Sequence, residues 1–243
     1  MKRKVKLGVN IDHIATLRQA RKEGAPNLID VAKMVLRGGA DSIVAHLRED
    51  RRHIQDQDII DIRKKLKTRF DMEMAATMEM VKIALKVKPD IVTLVPEKRR
   101  ELTTEGGLDV IHKIRYLTHV VRALEDEGIK VSLFIDPAWG QIEAAKRIGA
   151  SFIEIHTGKY SLSTTKKEYT KRLKEIAESV KAAKSIGLRV NAGHGLNYNN
   201  VRHIAMIKGV EELNIGFSIV ARAVYVGISH AVSDMKRMIH SAQ

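Results

Sequence analysis

Histidine, arginine, aspartate and glutamate recur in this chain where apolar runs of strand length come to an end, and that placement limits the chemistry open to it. The densest case is Ala45-His46-Leu47-Arg48-Glu49-Asp50-Arg51-Arg52-His53, which follows Asp41-Ser42-Ile43-Val44. Side chains of a strand alternate between two faces, so His46 and Arg48 share a face with Ser42 and Val44, a titratable ring beside a fixed cation. Taken alone, such a run reads as a solvated charge cluster. Its recurrence at other strand ends argues for a site. Of the ten histidines, His13, His46, His53, His156 and His194 fall at or just beyond candidate strands, while the others fall in helix-periodic segments. Imidazoles grouped with carboxylates suit proton transfer near neutrality, with His46 and Glu73 as candidate bases and His194 as a candidate acid. Metal chemistry is not expected, because no two histidines share a phase on one strand and no His-Glu-x-x-His helix occurs.

Two glycine-containing stretches, Ala192-Gly193-His194-Gly195 and Asn214-Ile215-Gly216-Phe217-Ser218, suit a phosphate cup in which backbone N–H groups and a helix N-terminus face an anion. Arg48, Arg51, Arg52 and His53, with Arg21, suggest a second anion site. Two anion sites in one mouth imply two phosphorylated substrates, or one bisphosphate. Two polar loops, 96–108 and 157–165, are candidates to cover that mouth, the first with Gly106-Gly107 as a hinge.

The elements that must position these groups are read from periodicity. Candidate strands at 6–12, 41–47, 70–75, 90–95, 130–136, 151–156, 189–193 and 212–216 alternate with candidate helices at 27–37, 55–67, 77–87, 109–127, 140–148, 166–186, 198–207 and 219–241. Gly38-Gly39, Gly128, Gly149 and Gly187 stand where helix stops are wanted. Strict alternation implies parallel strands with right-handed crossovers, and eight pairs in 243 residues match an α/β (β/α)8 TIM barrel, a single domain over 1–243. An open doubly wound sheet is the alternative. Strand parity then sorts the residues. Asn10, Asp12, His46, Arg48, Asp71, Glu73, Ser132, Asp136, Glu154, His156 and Asn191 share the inward phase, and Val9, Ile11, Leu47, Met72, Met74, Leu133, Ile135, Ile153, Ile155, Val190 and Ala192 share the outward one. Polar groups inside a barrel cost desolvation unless they serve a site or pair with each other.

Composition narrows the function further. The chain lacks cysteine, which removes disulfides, thiolate catalysis and cysteine-ligated metals. A net charge of +14 could signal nucleic acid, but the basic residues are interleaved with acidic ones, as in Lys171-Arg172-Leu173-Lys174-Glu175, and aromatic content is 4%. No nucleic-acid partner is expected. No apolar run reaches the roughly 20 residues of a membrane span, and Met1-Lys2-Arg3-Lys4 leads into a strand rather than a signal core. A cytoplasmic location with no membrane partner is the expectation.

The motifs GVNIDHIATLRQAR (8–21), HLREDRRHI (46–54), DMEMA (71–75), LVPEKR (94–99), TTEGGLD (103–109), VSLFID (131–136), FIEIHTG (152–158), VNAGHGL (190–196) and ELNIG (212–216) run the length of the chain. In these it closely resembles the pyridoxine 5′-phosphate synthase family. The resemblance implies condensation of 3-amino-2-oxopropyl phosphate with 1-deoxy-D-xylulose 5-phosphate to pyridoxine 5′-phosphate, inorganic phosphate and water, without metal or organic cofactor. It further implies that His46 and Glu73 are proton acceptors, His194 the proton donor and Glu154 a transition-state stabiliser. Asp12, His13, Arg48, His53 and Thr103 would bind the deoxyxylulose phosphate, and Asn10, Arg21, Gly195, Gly216 and Phe217 the aminoketone phosphate. Phe217 departs from members with His there. The resemblance also implies a homo-octamer. A different metal-independent phosphosugar isomerase or aldolase on the same barrel is the alternative, although no central strand ends in the lysine a Schiff-base aldolase needs.

Overall fold

The computed structural model describes residues 4–97 and 106–242. Eight strands close in sequence order into one barrel, and every neighbouring pair is parallel. They are β1 (Lys6–Asn10), β2 (Ser42–His46), β3 (Arg69–Met74), β4 (Ile91–Leu94), β5 (Lys130–Ile135), β6 (Phe152–His156), β7 (Arg189–Gly193) and β8 (Val210–Ile215). Among the described residues no helix is long and apolar enough to cross a membrane.

The expected split of strand faces is present. Outward residues such as Leu47, Met72, Met74, Leu133, Ile135, Ile153, Ile155 and Val190 are fully buried in one apolar cluster with the surrounding helices. Each such side chain contributes roughly 1.5–3 kcal/mol of burial. The inward face is polar and several of its groups pair: Ser42 donates to Glu212 at 2.5 Å, Thr93 to Asp71 at 2.9 Å, and Asn214 to Glu154 at 2.6 Å. Arg69 forms an ion pair with Glu212. Gly8 makes room for this packing, since a Cβ there would lie 2.2 Å from Asn214 Oδ1 and 2.8 Å from Glu212 Oε1.

The helices are α1 (Asp12–Arg21), α2 (Leu28–Arg37), α3 (Asp56–Lys65), α4 (Met78–Val87), α5 (Ile114–Glu125), α6 (Trp139–Arg147), α7 (Gly158–Ser161), α8 (Lys166–Ser185), α9 (Val201–Ala205), α10 (Phe217–Val226) and α11 (Ile228–Ser241). Asn27 caps α2 by accepting from Ile29 N and Asp30 N, and Thr165 caps α8 by accepting from Glu168 N. Gly39, Gly128, Gly149 and Gly187 all carry positive φ, as helix stops require.

Besides the helix expected at 109–127, which begins only at Ile114, three elements depart from the sequence reading. The first strand stops at Asn10, because Asn10 Oδ1 accepts from Asp12 N at 2.9 Å and bends the chain into α1. Asp12 is therefore a helical rather than a strand residue, and His13 follows it in α1. The stretch 157–165, read as an open loop, contains α7 and the cap of α8. The long helix expected at 219–241 is two helices broken at Gly227, whose φ is 78°.

Candidate active site

On one side of the barrel mouth the ends of β1, β2 and β3 bring Asn10, Asp12, His46 and Glu73 together. Asp12 Oδ1 accepts from His46 N at 2.8 Å and Oδ2 from Asn10 Nδ2 at 2.9 Å, and the same Asn10 amide lies 3.4 Å from Glu73 Oε2. His46 Nδ1 stands 4.0 Å from Glu73 Oε2. Burial, with the charges of Asp12, Glu154 and Asp71, holds the Glu73 carboxyl well above the ordinary carboxylate range. Once ionised, such a carboxylate is a stronger base than a solvated one. One atom each from Asp12, His46 and Glu73 lie within 4.8 Å of one another. That spacing could hold a cation or share protons, and the hydrogen bonds already made to both Asp12 oxygens favour proton sharing.

Across the mouth stand the residues of β6 and β7. His194 has φ +77°, a left-handed conformation uncommon for a side chain of its size, followed by Gly195 at φ +75°. Thr157 Oγ1 lies 2.7 Å from Gly193 O and 2.6 Å from His194 O, tying down this turn. Burial, then the neighbouring His156, lowers His194 to about 4, and the two rings pack edge to face at 5.0 Å. His156 Nδ1 in turn is 2.9 Å from Asp136 Oδ1. Deeper on β6, Glu154 is fully buried and pushed up to about 8, first by burial and then by the charge of Asp71, with Asn214 opposing.

The two glycine stretches are neighbours, as Ser218 Oγ donates to Leu196 O at 2.8 Å. Asn200 Nδ2 also donates to Gly195 O at 3.2 Å. Gly216 precedes α10, so the first turn of a ten-residue helix opens beside Gly195. Its φ is −121°, so glycine is favoured here by close packing rather than by a left-handed turn: a Cβ would meet Asn10 at 3.1 Å. Phe217 is 67% exposed, with its ring 5.2 Å from that of His13. Burial lowers His13, with Asp12 opposing.

The basic run after β2 divides. Arg48 is buried and turned toward Asp50 at 3.3 Å. His53 is lowered by burial and feels the charges of Asp12, His46, Arg48 and His13, which places it in the same cluster. Arg51 is instead committed to Asp56 at 3.0 Å and Glu79 at 2.6 Å, and Arg52 to Asp50 at 2.6 Å. Those two do not belong to the mouth group. Nor is Arg21 brought into it: its side chain is 77% exposed and paired with Glu23, at the far end of a helix that starts from Asp12, roughly 13 Å along the axis. Thr103 lies outside the described residues, as does most of the loop 96–108.

Residues 7–241 match the family model described as "Pyridoxal phosphate biosynthesis protein PdxJ". The chain belongs to this family. A relative from Prochlorococcus marinus (strain AS9601), named pyridoxine 5′-phosphate synthase, is 55% identical over 96% of this chain and 98% of its own length. Another of the same name from Pelobacter propionicus is 52% identical over 98% of this chain and 99% of its own. Among solved structures, one titled "Native KDPGal structure" aligns with a TM-score of 0.66 at 14% identity, covering 100% of this chain and 98% of that one. A 4-hydroxy-2-oxoglutarate aldolase structure aligns at 0.61 and 11% identity, covering 96% and 93%. At such identities these two speak to the barrel alone.

Two features of the site went unread in the sequence. Glu97 follows β4 and bonds His46 Nε2 at 2.9 Å, but it stands in a loop where strand parity gives no direction. The Asp136–His156 pair joins β5 to β6, and its only sequence signal was the shared inward phase of the two residues.

Proposed function

We propose that this chain, acting as one barrel domain, condenses 3-amino-2-oxopropyl phosphate with 1-deoxy-D-xylulose 5-phosphate to give pyridoxine 5′-phosphate, inorganic phosphate and water. The observation that carries this reading is the pairing of oppositely tuned proton-transfer groups across one mouth, Glu73 raised and His194 lowered, beside a double-glycine cup. Amine addition to a ketone, dehydration, phosphate loss and ring closure each move protons, in both directions. His46 and Glu73 take protons and His194 returns them. Lowered to about 4, His194 is neutral near pH 7 before substrate binds. A phosphate dianion seated against Gly195 and the first turn of α10 stabilises its imidazolium, so the donor is charged only when substrate is bound. Glu154, protonated in the barrel, donates or shares a hydrogen bond as negative charge develops above it.

Asp12, His13, Arg48 and His53 bind the deoxyxylulose phosphate on the β1–β2 side, with Thr103 assigned to that substrate by family resemblance. Asn10, Gly195, Gly216 and Phe217 bind the aminoketone phosphate on the β7–β8 side, with Arg21 assigned there by family resemblance. Holding both reactants converts a bimolecular encounter into an effectively unimolecular step. The enzyme works in the cytoplasm as a homo-octamer. The test is to mix pure protein with both phosphorylated substrates and follow pyridoxine phosphate absorbance and released phosphate. Absence of both products sinks the reading. A Schiff-base aldolase would instead be trapped by borohydride on a lysine, and none of the eight strands ends in one.

A further inference from the structure

Glu97 lies three residues beyond β4, and its side chain is only 5% exposed. Two backbone donors and one imidazole nitrogen from two other strand ends converge on it. Oε1 accepts from Ala75 N at 3.1 Å and stands 2.9 Å from His46 Nε2, while Oε2 accepts from Glu49 N at 3.1 Å. The two backbone donors cannot turn into acceptors, so each carboxylate oxygen already faces a fixed N–H. A carboxyl proton on Oε2 would point at the Glu49 N–H, and one on Oε1 would have to be shared with His46 Nε2, which a carboxyl held below its ordinary range disfavours. Burial alone would raise this group, yet His46, Glu49 N–H and Arg48 outweigh it and hold the carboxyl below its ordinary range.

An acceptor-only partner at Nε2 decides the state of the imidazole. In a neutral ring one nitrogen carries the proton and the other a lone pair, and the hydrogen bond made by one fixes the role of the other. Nε2 must therefore carry its proton. The lone pair is left on Nδ1, the atom that faces Glu73 Oε2 across 4.0 Å, a gap too wide for a hydrogen bond. The backbone of His46 is anchored separately by Asp12 Oδ1 at 2.8 Å, so the residue is held at both ends.

We propose that Glu97 is the positioning residue for His46: it fixes the Nε2–H tautomer, reserves Nδ1 as the atom that takes the substrate proton, and faces the imidazolium with a charge when that proton arrives. In that step the bond to hydrogen breaks on the substrate and forms at Nδ1. Nε2 keeps its proton and Glu97 stays ionised, so nothing passes down the chain. The ring's charged surroundings are Asp12 after β1, Glu73 on β3, Glu97 after β4, and Arg48 and His53 beyond β2. Among them Glu97 alone bonds an imidazole nitrogen of His46. The inference rests on the synthase reading for its substrate, but its structural part can be read without turnover.

The experiment is solid-state ¹⁵N NMR of the full-length, histidine-labelled protein at pH 8, with His46→Asn supplying the assignment by subtraction. The expected ring is neutral with hydrogen on Nε2. Glu97→Gln can keep its amide oxygen toward Ala75 N and His46 while its NH2 displaces the Glu49 N–H contact, so it should retain this tautomer while losing the charge. The acid limb of its kcat/KM profile should then move to lower pH. Glu97→Met removes the acceptor and should give a mixture of tautomers, with kcat reduced by between about 10²- and 10⁴-fold, the range for a disabled acid–base group. A wild-type ring with hydrogen on Nδ1 overturns the assignment, as does a Glu97→Met protein with unchanged tautomer and kcat. An inactive wild type that still shows the Nε2–H ring would fail the synthase reading and leave the positioning role standing.

Discussion

Replacing Glu154 by glutamine should make the protein more stable at neutral pH, and the gain should grow with pH in a calculable way. The carboxyl sits inside the barrel, 2% exposed, bonded to Asn214 at 2.6 Å. Its ordinary value is 4.5, against about 8 in the fold, because burial and the charge of Asp71 oppose ionisation. The folded state therefore holds a proton that the unfolded chain releases. Stability is fully present below pH 4.5 and is lost as pH rises through 8, since the native state binds more protons over that window. At roughly 1.36 kcal/mol per pH step, the loss comes to about 3 kcal/mol by pH 7 and 4–5 kcal/mol by pH 8. Glutamine keeps an oxygen for the Asn214 donor and has no proton to lose. Wild type and Glu154→Gln should unfold alike at pH 4.5–5, and the mutant should gain roughly 6–12 °C in midpoint by pH 7. Thermal or urea unfolding from pH 4.5 to 9 measures this directly. Parallel curves for the two proteins would mean that Glu154 is not held protonated in the barrel, and the account of the polar interior would be wrong. Turnover should drop in the same mutant if the proposed stabilising role holds.

The remaining predictions concern the mouth. His46→Asn should keep the fold and substrate binding but lower kcat by about 10²–10⁴, and near-normal turnover removes it from the mechanism. Arg48→Lys keeps charge but not the two-pronged donor, so titration should show weaker deoxyxylulose phosphate binding, and full affinity would make Arg48 a point charge only. Gly216→Val places a branched side chain where a Cβ already meets Asn10 at 3.1 Å. It should weaken aminoketone phosphate binding by at least about tenfold, for one or two charge-assisted hydrogen bonds lost, while sparing the other substrate. Equal weakening of both would refute the two-site assignment. Thr157→Val removes the hydroxyl at Gly193 O and His194 O and should slow kcat by up to about tenfold, for one hydrogen bond, with KM little changed. An unaltered kcat would show that the turn at His194 holds itself.

Much of this molecule is legible in one dimension because strands and helices have different periods. A buried parallel strand needs its apolar residues in one phase, so Val9, Met72, Leu133, Ile153 and Val190 declare the outer face, and the polar phase declares the interior. The Gly stops supply the boundaries, and eight repeats fix the barrel. Local hydrogen bonding defeats the period at particular points. Asn10 bends the chain through its own side chain, so Asp12 reaches the mouth from a helix, and Gly227 divides a helix whose apolar pattern runs on unbroken. Long-range partners were hidden for a different reason. Whether Arg51 serves a phosphate or Asp56 and Glu79, and whether Glu97 is a loop carboxylate or the group that fixes His46, depends on distances set when separate strand ends meet. Residue type and phase determined which groups reach the open end of the barrel. Barrel closure decided which of them touch, and with that which carboxyl keeps its proton and which imidazole nitrogen is free to take one.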